Sequence, residues 1–133
     1  MSPAVAPATV QLDVPADASY AVLVRAALAA LAAQADYTLD RIEDLRLAGT
    51  EAFSLAVLRA VAGATVQVLI TSAPDGITLR TVAPSSEAAL SLGGPGAIGW
   101  TLLTALVDDL ADESEGTTAQ IRLRVSAHPG AAS

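Results

Sequence analysis

The chain has 133 residues, 53% of them hydrophobic and only 3% aromatic, which is material for one aliphatic core and too little for two. Seven arginines and no lysine face fourteen acidic residues, and the resulting formal charge of −7 repels a phosphate backbone, so no direct nucleic-acid partner is expected. The absence of cysteine rules out a disulfide framework and says nothing of compartment, whereas a start (MSPAVAPATV) without the basic and apolar regions of a signal peptide, and no run of ~18 apolar residues, lead to the expectation of a cytoplasmic protein with no membrane partner.

Residues 1–8, rich in Pro and Ala, are expected to form a disordered arm. Val10, Leu12 and Val14 then alternate with Gln11 and Asp13, the period of a half-buried strand, which Pro15 ends. From Ala18 to Ala33, Tyr20, Leu23, Val24, Ala27, Leu28 and Leu31 fall on helical spacing behind Asp17, which is placed to cap the first helix. Asp40 and Glu43 have the spacing of a capping box for a second helix, whose stripe of Ile42, Leu45, Ala52, Phe53, Ala56 and Val57 runs to about Val61, with Gly63 ending it. Val66, Val68 and Ile70, the turn Ala73-Pro74-Asp75-Gly76, and Ile77, Leu79 and Thr81 predict a β-hairpin.

Residues 83–97, APSSEAALSLGGPGA, are a connection long enough to be functional or mobile. A third helix is expected from Ile98 to Leu110, apolar nearly all round and therefore deeply packed, with Trp100 in the core and Asp108 and Asp109 at its wet end. Those two, with Asp112, Glu113 and Glu115, lack the glycine-centred spacing of a calcium loop and are expected to be solvated, so no metal site is assigned. Ile121, Leu123 and Val125 form the last strand, with Arg122 and Arg124 on its other face beside Arg80. His128 stands alone in a second disordered segment, 127–133. The order β-α-α-β-β-α-β predicts an α/β (α+β) two-layer sandwich: a mixed, mainly antiparallel four-stranded sheet with three helices on one face.

Over residues 9–126 these segments resemble, in order and spacing, the serine-kinase anti-sigma factors of bacterial stress and sporulation control, which have the GHKL (Bergerat) ATP-binding fold. EDLRLAGTEAFSLAV, residues 43–57, is similar to the family's second helix, Gly96 and Gly99 to its phosphate lid, TLLTALVDDL to its last helix, and Gly116-Thr117-Thr118 to the segment before its last strand. The resemblance implies one GHKL domain over 9–126 and ATP with Mg²⁺ as the cofactor, held through Gly96, Gly99, Thr117 and Thr118. It also implies Glu51 as the general base of a kinase. Two positions depart from the pattern: the Mg²⁺-holding Asn falls at Leu55, which has no lone pair for a hard cation, and the adenine-binding Asp is missing from Val82-Ala83-Pro84-Ser85-Ser86.

The resemblance further implies a sigma factor and an anti-anti-sigma protein as partners, a homodimer, and Arg25 on the partner surface. Arg25 can serve there as a bidentate carboxylate anchor or can be spent on an internal salt bridge. Three functions stay open: an anti-sigma factor acting by sequestration, a divergent ATP-dependent serine kinase, and a homodimeric interaction module.

Overall fold

The computed structural model describes residues 8–128. The elements are β1 (Ala8–Pro15), α1 (Ala21–Gln34), α2 (Leu39–Arg59), β2 (Thr65–Ala73), β3 (Gly76–Pro84), α3 (Ile98–Leu106), β4 (Asp109–Asp112) and β5 (Thr118–Val125). Short 3₁₀ turns lie at Ala18–Tyr20 and Ala89–Ser91. The strands form one sheet in the order β1-β2-β3-β5-β4, each pair of neighbours antiparallel. The expected disordered segments fall outside the described residues apart from Ala8, which pairs with Ser72, Ala127, which packs against the core, and His128.

Alternation decides which face of the sheet is covered. Val14, Val66, Val68, Ile70, Ile77, Leu79, Ile121, Leu123 and Val125 all point inward and are buried, as a period of two requires. Against them α2 places Leu45, Ala52, Phe53 and Ala56, and α1 places Val24 and Leu28. Each fully buried Leu, Ile or Phe contributes roughly 1.5–3 kcal/mol over an exposed one. Gly49 sets the spacing of the helices, because a β-carbon there would run into the Leu28 side chain.

The hairpin forms as its turn residues predict, with Ala73 opposite Gly76, and Gly76 takes a φ of 137° that disfavours other residues. Other expectations need correction. The cap of α2 is Thr38, whose hydroxyl accepts from the Arg41 N–H at 3.2 Å, while Glu43 pairs with Arg46 at 2.6 Å instead of completing a box with Asp40. Asp17 caps the 3₁₀ turn that leads into α1, accepting from Ser19 N–H at 2.9 Å. The helix α2 stops at Arg59, where Ala60 turns extended and bridges to Ser85, and Gly63 lies in the following turn.

The largest difference lies at α3, which ends at Leu106 and buries only Leu103 fully. Trp100 packs partly buried against the core, whereas Ile98 is 93% exposed. Asp109 and Leu110, assigned to its last turn, instead open β4, a fifth strand on β5, and this sheet has only antiparallel neighbours. Aspartates at a helix C-terminus oppose its dipole, whereas on β4 they meet arginines.

Candidate functional site

Glu51, Leu55 and Arg59 succeed one another at four-residue spacing and so share one face of α2. The glycine-rich connection folds over that face. Gly99, in the first turn of α3, sits on Glu51, since a β-carbon there would meet the Glu51 carboxylate and, at 3.2 Å, Leu55 Cδ2. A β-carbon on Gly93 would lie 2.6 Å from the Leu55 carbonyl oxygen, and one on Gly94 would meet the Arg59 guanidinium and, at 2.7 Å, Asp112 Oδ2.

Arg59 is 2% exposed and saturates its donors. Its Nε donates to the Leu90 carbonyl at 2.9 Å, a second nitrogen reaches the same oxygen, and Nη2 pairs with Asp112 Oδ2 at 2.8 Å. Nη1 donates to Ser114 Oγ at 3.1 Å and to Asp112 Oδ1 at 3.3 Å. Burial pushes the Asp112 carboxyl up, but hydrogen bonds from Arg59 and Ser114 outweigh it and hold it below the usual range. Ser85 closes the neighbouring corner: its hydroxyl donates to the Arg59 carbonyl at 2.7 Å and its N–H to the Thr117 carbonyl at 2.7 Å.

The structure thus brings Glu51 to Gly99 and Thr117 to Ser85. Gly96 is exposed with open space beyond its α-carbon, and Thr118 is exposed at the start of β5, exchanging backbone hydrogen bonds with Glu115. The acidic cluster is not a solvated helix end. Asp108 pairs with buried Arg41 at 2.6 Å, Asp109 with Arg122, Asp112 with Arg59, and Glu113 with both Arg122 at 3.1 Å and Arg80 at 3.3 Å. Arg59, Asp112 and Ser114 escaped sequence reasoning. The four-residue spacing from Glu51 marks Arg59, but nothing local links it to an acid 53 residues away.

Arg25 lies half-buried on α1, remote in sequence from this cluster, with exposed Val22 one turn before it. Its Nε is buried without an acceptor among the described residues. The other six arginines all donate to groups in the chain: Arg41, Arg46, Arg59, Arg80 and Arg122 to carboxylates, and Arg124 to the Asp75 carbonyl.

Residues 14–125 match the family model described as the histidine kinase-like ATPase domain, and the antiparallel sheet with three helices on one face agrees with that class of fold. The chain belongs to that family. It is similar to the anti-sigma-F factor RsbW of Mycobacterium tuberculosis, in two strains, at 28% identity over 107 residues, which are 80% of this chain. That match covers 62% of each relative, so the chain spans about three fifths of their length. Its fold is similar to the crystal structure of the RsbU and RsbW domains of an M. tuberculosis protein, with a TM-score of 0.70 and 18% identity over 90% of this chain and 32% of that one.

ATP with Mg²⁺, which the family implies, does not fit the residues present. Leu55 is an alkyl group where the metal needs oxygen. Of the two glycines that would admit phosphates, Gly96 is open but Gly99 has its close approach taken up by Glu51 and Leu55, and the Thr117 carbonyl is already bonded to Ser85.

Proposed function

We propose that this chain is an anti-sigma factor that works by gripping partners: it sequesters an alternative sigma factor of the stress or sporulation type and is countered by an anti-anti-sigma protein. Arg25 carries this reading. It is the one arginine without an internal acceptor among the described residues, and exposed Val22 lies one turn before it on the same side of α1. The terminal nitrogens of a guanidinium with no internal acceptor can take a carboxylate or carbonyl brought by a partner, and an apolar neighbour excludes water around that bond. The similarity to proteins named anti-sigma factors supports the kind of partner. A cytoplasmic location and a homodimer belong to the same proposal. A kinase reading, with Glu51 as base, gains no support from a carboxylate covered by Gly99.

Arg25→Glu is expected to weaken binding to the cognate sigma factor by at least about tenfold, or ~1.4 kcal/mol. Because no internal ion pair is lost, its unfolding midpoint should stay within about 0.5 kcal/mol of the parent. Titration calorimetry with the purified sigma factor checks the first figure and urea unfolding the second. Unchanged affinity would remove Arg25 from the interface.

A further inference from the structure

We propose that Arg59 is a built-in latch that holds the glycine-rich loop closed on α2 without nucleotide. The guanidinium ties α2 to two segments distant in sequence: the loop, through the Leu90 carbonyl, and the end of β4, through Asp112 and Ser114. Its own carbonyl is tied to Ser85, where the loop begins. Gly93 and Gly94 let the loop descend onto this group, with no side chain to hold it away from the Leu55 carbonyl and the guanidinium. A phosphate lid needs a ligand to order it, because the ligand's charge supplies the acceptors. Here the loop itself presents the acceptor, the Leu90 carbonyl, and Arg59 supplies the donors, with Asp112 holding the guanidinium in place from within the chain. The closed loop is therefore part of the folded state and does not report nucleotide.

The latch is a property of the isolated chain and does not rest on the anti-sigma reading, so either can fail alone. Hydrogen exchange by mass spectrometry on the full chain tests it, with and without millimolar MgATP. The amides of residues 88–99 should be protected in the parent and unchanged by MgATP. In Arg59→Ala they should exchange at least about tenfold faster, while those of β2 and β3 keep their rates. Because Arg59 is buried and its loss can unfold the domain, Asp112→Asn and Gly94→Ala serve as milder variants, one weakening the acceptor and the other wedging the loop outward. Faster exchange confined to 88–99 in either supports the latch. Loop exchange equal to the parent in both variants, or a loop unprotected in the parent until MgATP is added, overturns it.

Discussion

Tyr37 and Thr81 each bury a hydroxyl in the core, one with two partners and one with none. Tyr37 donates to the Val125 carbonyl at 2.6 Å and accepts from the Ile77 N–H at 2.9 Å, which ties the link between α1 and α2 to the ends of β3 and β5. Burial pushes this hydroxyl up from its ordinary pKa, the Ile77 hydrogen bond opposing, so it stays a donor at neutral pH. Tyr37→Phe strands two buried backbone groups and should destabilise the domain by about 1–3 kcal/mol. Thr81 is 1% exposed and its Oγ1 has no partner among the described residues. Valine keeps its shape and removes an unsatisfied polar group, so Thr81→Val should be neutral or stabilising by about 1 kcal/mol. Urea midpoints at constant m-value check both, and a Thr81→Val variant clearly weaker than the parent would show that the hydroxyl has an acceptor. Alternation placed Thr81 on the inner face, but a hydroxyl's partners lie on other elements and are invisible along the chain.

The strand β4 is the element where local pattern misleads. TLLTALVDDL continues a helical stripe to Leu110, yet Val107 turns extended and the Asp108 N–H donates to the Arg124 carbonyl at 2.9 Å. The carboxylates along it act as one set. Burial raises Asp108, but the Ser126 hydrogen bonds, with Arg41 and Arg124, outweigh it and hold it low; Asp109 and Glu113 are lowered first by hydrogen bonds from Arg122. Glu113 also lies between Arg80 and Arg122, like charges directly opposite each other on β3 and β5. A carboxyl lowered in the folded state adds stability that is fully present above its unfolded value, here 3.8 for Asp and 4.5 for Glu. That stability is lost as pH falls through the lower folded values. The melting temperature should therefore be level from pH 7 to about 5 and fall steeply below about 4.5, with exchange at β4 rising first. A melting curve unchanged down to pH 3 would mean that these pairs contribute nothing. The exposed members are worth little singly; Arg41 and Arg59 make the set matter, since each is buried and its removal or that of its acid leaves an unpaired charge.

At the scale of the molecule, the balance of seven arginines against fourteen acids says only that nucleic acid is disfavoured. Where the arginines go gives them meaning: six are engaged within the chain, and Arg25 has no acceptor among the described residues. The sequence by itself determined β1, both long helices, the hairpin and β5, because periods of two and 3.6 are written in neighbouring residues. It also carried the resemblance to the ATPase family and the two departures at Leu55 and residues 82–86. Only the tertiary structure decided that Asp109–Asp112 is a strand, that Asp112 belongs to Arg59, and that the glycine loop rests on a guanidinium. Those outcomes depend on burial and on charges brought together from opposite ends of the chain, and such terms exist only once the sheet has formed.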